Sequence, residues 1–318
     1  MSTAARRLLR VVIVGTGHVG ATLAYALVLH GLAPEIVLID ADRGRAEGEA
    51  MDLSHAVPFT HPGRVWAGDY SDCETADVVV LTAGAGQKPG ETRLDLAARN
   101  AAIFREVVPR ITAANPQAML LVATNPVDVL TFATWKLSGL LPQRVIGSGT
   151  ILDTARFRHL LSQHCGVDAR SVHAYIIGEH GDSEVPIWSL ANIAGMRLAD
   201  FRAAHALGPD QAAMDAIVDD TRRAAYHIIE RKGATYYAVA AGLLRILEAI
   251  LRDQATVLSV SSLVPPEYGV EDVCLSLPTV ITRQGIERVL HLPLSAEERV
   301  AFVRSGAVVR RVIEELGF

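Results

Sequence analysis

Gly178-Glu179-His180-Gly181-Asp182 comes shortly after Thr150-Ile151-Leu152-Asp153-Thr154-Ala155-Arg156, and together they offer an imidazole, a carboxylate and a guanidinium. A neutral histidine takes or gives an alcohol proton near pH 7. A buried aspartate behind it fixes the tautomer and stabilises the imidazolium that forms. An arginine grips a carboxylate through two parallel hydrogen bonds and so decides which way round it sits. Such a set suits moving a hydride and a proton to or from a small 2-hydroxy acid. His180 alone would more simply be a satisfied core histidine; Asp153 and Arg156 make it a candidate. These two are three residues apart and share one face of a helix. Arg158 lies about 200° round from Arg156 at ~100° per residue, so it faces away.

These groups need elements to position them. The β-branched run Arg10–Val14 suits a buried parallel strand. It leads into Gly15-Thr16-Gly17-His18-Val19-Gly20 and a helix-like stretch over 21–29. In such a turn the first glycine permits a tight bend and the second lets backbone approach a pyrophosphate. The third lets helix and strand pack closely, and the helix N-terminus receives the phosphate charge. A second strand over 36–39 ends in Asp40, twenty residues beyond Gly20, where an acceptor for the adenosine ribose hydroxyls is expected. A carboxylate there repels a 2′-phosphate, so NAD is favoured over NADP. Asp42 competes for this role from past the strand end.

Further strands at Val78–Leu81, 119–122 and 145–146 alternate with helical stretches, which implies a doubly wound parallel (Rossmann) sheet. Ligands of such sheets sit beyond the carboxyl ends of the strands. That puts Thr82, Ala83, Gly84 and Asn125 beside the cofactor; Asn125 suits either an amide contact to nicotinamide and substrate or a turn before Pro126. After Gly147-Ser148-Gly149 the alternation fades. The expected division is a dinucleotide-binding domain over 1–149 and a mixed α+β substrate domain over 150–318. In the latter, 173–177 reads as one strand leading to His180. Strands are also expected over 255–262, Cys274–Thr282 and 285–292. A last helix starts near Ser295, whose hydroxyl and Glu298 make a capping box.

These segments resemble those of the lactate/malate dehydrogenase family, from Val11 to the C-terminus. The resemblance implies that Arg93 polarises the substrate carbonyl and that Thr235 lines the substrate pocket. It makes the polar, glycine-hinged 86–93 segment, before a helical 94–114, a lid over the site. Gln87 stands where malate dehydrogenases usually present an arginine for a second carboxylate. Leaving a buried charge unpaired costs roughly 3–5 kcal/mol, so Gln87 points to pyruvate and L-lactate. Arg158 and His173 match positions that bind fructose 1,6-bisphosphate at a subunit contact in many bacterial relatives. A homotetramer is likewise implied. The alternatives are malate or bulkier 2-hydroxy acids, or, from another class, a dinucleotide-binding protein that has lost catalysis. The last would need one of the chemical residues to be missing.

Composition bounds the rest. With 318 residues, half of them apolar, the chain has material for two domains or one large α/β unit. A net charge of −5 without a basic run argues against nucleic acid as the main partner. Cys73, Cys165 and Cys274 are odd in number and far apart, which suits buried free thiols rather than a metal site or disulfides. Arg6-Arg7 before an uncharged stretch superficially imitates an export signal. Cleavage would remove the glycine turn itself, so neither export nor membrane insertion is expected, and the cytoplasm is.

Overall fold

The computed structural model describes residues 7–86, 92–207 and 210–318. The first half runs β1 (Arg10–Val14), α1 (His18–His30), β2 (Glu35–Ile39), α2 (Arg43–Ala56), β3 (Arg64–Ala67), β4 (Val78–Leu81), α3 (Arg93–Ala114), β5 (Leu120–Val122), α4 (Val127–Ser138) and β6 (Val145–Gly147). The second begins with α5 (Ile151–Cys165), β7 (Val172–His173), β8 (Ile176–Ile177), β9 (Val185–Pro186), β10 (Asn192–Ile193) and β11 (Met196–Arg197). It continues with α6 (Leu198–Ala204), α7 (Gln211–Lys232), α8 (Tyr237–Leu251), β12 (Thr256–Leu263), β13 (Cys274–Thr282), β14 (Gly285–Val289) and α9 (Ala296–Glu315).

Six parallel strands in the order β6-β5-β4-β1-β2-β3 form the doubly wound sheet. Its switch point lies where the chain leaves β1 for β2 on one side and returns to β4 on the other. Gly15 and Thr82 follow those two strand ends, where ligands of this architecture bind. Side chains of β1 alternate between faces. Val11 and Ile13 join a cluster with Leu23 and Leu27 of α1 and Leu243 and Leu247 of α8, while Val12 and Val14 face Phe104 and Ile111 of α3. Helix α1 of the cofactor half therefore covers α8 of the other half.

Spacing did not show that the sheet crosses the expected 149/150 division. Strand β12 pairs antiparallel with β6 through Ser261 and Gly147, and β13 and β14 follow, giving nine strands among the described residues. Three expectations need correction. The helix after the glycine turn starts at His18, because Gly17 is its N-cap and Val19 and Gly20 are already helical. The single strand over 173–177 is two: β7 pairs with β10 and β8 with β9. The Ile176 carbonyl accepts from the hydroxyls of Thr150 at 2.6 Å and Ser259 at 2.8 Å, and its N–H donates to Thr154 at 3.1 Å. Hydroxyls replace a continuous ladder there. The third strand of the C-terminal group ends at Val289.

The edge strand β3 escaped sequence reading because its Arg64–Ala67 is only partly buried and shows no apolar alternation. Ser295 and Glu298 form the expected reciprocal cap of α9. All three cysteines are buried and free, and no helix among the described residues is long and apolar enough to cross a membrane.

A Cβ on Gly20 would stand 2.0 Å from the Gly15 carbonyl oxygen and 2.8 Å from Thr82 Oγ1. Gly20→Ala is therefore expected to lower stability by about 1–3 kcal/mol, the usual range for overpacking, as read by urea denaturation. An unchanged midpoint would show that α1 and the turn have room to separate.

Candidate active site

Asp153, in the first turn of α5, is 3% exposed and could not stay ionised there without partners. It has two. Oδ1 accepts from Arg156 Nη1 at 2.9 Å, as the three-residue spacing on a helix predicts. Oδ2 accepts from Nδ1 of His180. The imidazole keeps 24% of its side-chain surface open, which leaves Nε2 for the cavity that His180 lines. Burial works against both charges, but the pairing wins. The imidazolium is raised to about 9 by the charge and hydrogen bond of Asp153, helped by the charge of Asp128. Asp153 is held below the usual carboxylate range by His180 and Arg156.

The segment carrying His180 is stitched from three sides. Gly178, at φ +85°, exchanges two 2.9 Å backbone hydrogen bonds with Ser276. Glu179 N donates to Ser305 Oγ at 2.8 Å, and His180 N donates to Asp128 Oδ2 at 2.7 Å. A left-handed φ and a Cβ position 2.7 Å from Ser305 Oγ together call for glycine at 178.

A cavity of about 260 Å³ opens in front of His180 and Arg156, with Asn125 in its wall. Sequence reading missed two of its charged groups, Glu184 and Arg222. Neither lies in a recognisable motif; only the fold brings α7 over this wall. Glu184 is 4% exposed, and burial together with the charge of Asp153 pushes its carboxyl up to about 8. At neutral pH it is chiefly uncharged. Arg156, Arg222 and His180 share this wall with the acidic side chains of Asp153, Glu179 and Asp182, and the N–H groups of Arg156 that Asp153 leaves unused offer a grip on a carboxylate.

The glycine turn makes a second concavity. Gly15 has φ +103°, and a Cβ there would sit 2.3 Å from Ala83 N, so this bend admits only glycine. A Cβ on Gly17 would meet nothing within 4 Å, and Gly17 offers α1 no side-chain cap. The first amides of α1, those of His18 and Val19 among them, are thus left for an external acceptor such as a phosphate. Asp40 Oδ2 accepts from Thr16 N at 2.6 Å and Thr16 Oγ1 at 2.9 Å, and Oδ1 accepts from Asp42 N at 2.9 Å. Burial opposes its charge, yet these bonds hold the carboxyl below its ordinary value. An ionised carboxylate has acceptor capacity left for ribose hydroxyls. Asp42, by contrast, caps α2 by accepting from Arg45 N at 3.1 Å. Thr82 Oγ1 donates to Gly15 O at 2.6 Å, locking the turn to the end of β4. A Cβ on Gly84 would stand 2.5 Å from Thr124, so the β4 and β5 ends approach closely. These residues fit a dinucleotide.

Family models decide the matter. That for the NAD-binding domain of lactate/malate dehydrogenases matches residues 9–147, and that for their α/β C-terminal domain matches 150–317. The chain belongs to the lactate/malate dehydrogenase family. Its cofactor is NAD. An L-lactate dehydrogenase of a Thermoanaerobacter species is 53% identical over 307 residues, 96% of this chain and 99% of that protein. One of Acetivibrio thermocellus is 51% identical over 96% of this chain and 97% of its own length. A lactate dehydrogenase from a deep-sea metagenome superposes with a TM-score of 0.95 at 44% identity, covering 98% of this chain and 100% of that structure. The minor L-lactate dehydrogenase of Enterococcus mundtii, in its ligand-bound form, gives 0.94 at 41%, covering 97% and 98%.

The remaining candidates of this dehydrogenase chain are more scattered. Gln87 lies outside the described residues, as does the side chain of Arg93, whose backbone begins α3 behind a Thr92–Asp95 capping box. Thr235 sits half-buried in the non-helical link between α7 and α8. Arg158 turns away from the site, as its spacing from Arg156 predicts. Its Nε donates to Ala174 O at 2.8 Å and its guanidinium lies 4.7 Å from the Tyr175 ring centre. It lines a separate cavity of about 460 Å³ with Arg170 and Arg245. His173 is exposed on β7.

Replacing Asp153 by Asn removes the charge that overcomes burial at His180, while burial remains. The imidazole of Asp153→Asn should titrate on the order of one unit or more below the wild-type value, measured by NMR of the histidine ring protons. An unmoved titration would show that Asp153 does not hold the proton.

Proposed function

We propose that this chain is an L-lactate dehydrogenase that interconverts L-lactate and pyruvate. The observation that carries the reading is Asp153 bridging Arg156 and His180 at the wall of a cavity shared with Asn125. The identity of about half the chain to proteins named L-lactate dehydrogenases supports it. When bound, NAD supplies or accepts the hydride. In the direction of reduction, the N–H groups of Arg156 not used by Asp153 take the carboxylate of pyruvate and fix its orientation. His180 donates the Nε2 proton to the carbonyl oxygen as the alkoxide develops. Asp153 keeps the imidazole in the tautomer that can do this and holds its charge beforehand. Arg93 polarises the carbonyl, and the 86–93 segment closes over the substrate to exclude water. In oxidation the same nitrogen, now neutral, receives the hydroxyl proton.

Gly15, Gly17, His18, Val19, Gly20, Asp40, Thr82, Ala83, Gly84 and Asn125 are read as the NAD contacts, and Thr235 as a further pocket residue. Gln87 is read as the selector. A neutral amide leaves the second carboxylate of oxaloacetate unpaired and costs a methyl group little. Fructose 1,6-bisphosphate is proposed as an effector acting through Arg158 and His173 at a subunit contact. The proposed assembly is a homotetramer working in the cytoplasm. Two apolar residues of α1 fit such contacts, Tyr25 being 48% exposed and Leu29 45%.

The deciding experiment follows NADH oxidation with pyruvate and with oxaloacetate, each with and without fructose 1,6-bisphosphate. Pyruvate should win by about two to four powers of ten, as an unpaired buried charge implies. Gln87→Arg should move the ratio toward oxaloacetate, and a ratio that stays put would remove Gln87 from the argument. Stimulation by the bisphosphate would support the Arg158 and His173 reading, and its absence would end it. His180→Ala should abolish turnover while leaving NADH binding, followed by fluorescence, largely intact. Undiminished turnover would overturn the mechanism.

A further inference from the structure

Asp128 is 2% exposed, belongs to no motif of the cofactor turn and has no part in the mechanism above. It lies in the first turn of α4, three residues after Asn125, so one connection from β5 supplies both. Its Oδ2 accepts the backbone N–H of His180 at 2.7 Å across the divide between the two halves. Oδ1 has no hydrogen-bond partner among the described residues. Ser261 of β12 faces the carboxyl, yet its Oγ also completes no bond of normal geometry. A half-satisfied buried carboxyl is costly to keep, and it sits directly behind the proton-transferring histidine.

We propose that Asp128 is a positioning residue for proton transfer, tying His180 to the β5–α4 connection that carries Asn125 and adding a second negative charge to the field that favours the imidazolium. This rests on the reading of His180 as the proton donor and acceptor. Hydride and proton must arrive at neighbouring atoms of one substrate, and the groups that place them lie on different halves of the chain. The Asp128–His180 hydrogen bond couples those halves at the reacting nitrogen's own residue.

His180 is faced by Asp153 and Arg156 of α5 and by Asp128, while Glu179, Asp182, Glu184 and Arg222 line the same cavity. Asp128 is faced by His180, Glu179 and Ser261, and Cys274 of β13 feels its charge. Burial pushes the Asp128 carboxyl up to about 7, opposed by Ser261, the His180 amide and the imidazolium. Between pH 7 and the titration of His180, Asp128 is thus mainly ionised and supports the proton on its neighbour.

Pyruvate reduction needs the imidazolium, so its rate falls as pH rises through the pKa of His180. Asp128→Asn keeps an oxygen for the His180 N–H and removes the charge. It should shift that alkaline limb of kcat down by about half a unit to one unit, with thermal stability and NADH affinity near wild type. Asp128→Ala loses the acceptor as well, and kcat should drop by about tenfold or more while KM for pyruvate changes less. Ser261→Ala makes ionisation of Asp128 harder, so it should move the limb the same way by a smaller amount. That variant decides the matter if Asp128→Asn does not fold. A limb left in place by whichever of the two folds, whatever the melting temperature does, overturns the role of Asp128. A wild-type enzyme whose pyruvate turnover shows no alkaline limb would instead overturn the reading of His180 itself.

Discussion

Asp153 is a buried carboxylate with a cation on each oxygen, and the arrangement of the second half follows from keeping it satisfied. A buried ion stripped of its partner costs several kcal/mol, so Arg156 and His180 cannot wander. The i,i+3 relation on α5 supplies the first partner locally. The second has to come from another part of the chain, which makes the 178–180 segment the point where folding and chemistry meet. Its Gly178, Glu179 and His180 are each held by a different element: β13, α9 and α4.

The balance of charge in the cavity follows from the same pair. With Asp153 firmly ionised, burial and like-charge repulsion push the nearby Glu184 toward its neutral form. Arg156 and Arg222 remain as fixed cations of a wall that also carries Glu179 and Asp182.

The cofactor cradle rests on close backbone approach. Gly15 against Ala83 and Gly20 against the Gly15 carbonyl leave no room for a Cβ, whereas Gly17 faces open space. Two glycines serve packing and one stands open to solvent. The distinction is invisible in the glycine spacing, where all three look alike. Asp40 joins the turn to β2 by accepting from Thr16, so the residue read as a ribose acceptor also fixes the shape of the phosphate cradle.

What the sequence determined by itself is local: periodicity, short spacings and caps. The buried strands Arg10–Val14, Val78–Leu81 and Cys274–Thr282 were legible because their apolar runs are continuous, and α9 because Ser295 and Glu298 cap each other. Asp153 and Arg156 were legible as a pair because helix geometry fixes a three-residue step. That pair made His180 a candidate, but no spacing rule could place its ring on Asp153. Tertiary structure alone decided the rest. It joined β12 to β6, broke 173–177 where hydroxyls of Thr150, Thr154 and Ser259 take the Ile176 peptide, and brought Glu184, Arg222 and Asp128 around the site. Those contacts join residues far apart in the chain, and their energies come from burial and desolvation, quantities that exist only once the chain has closed around them.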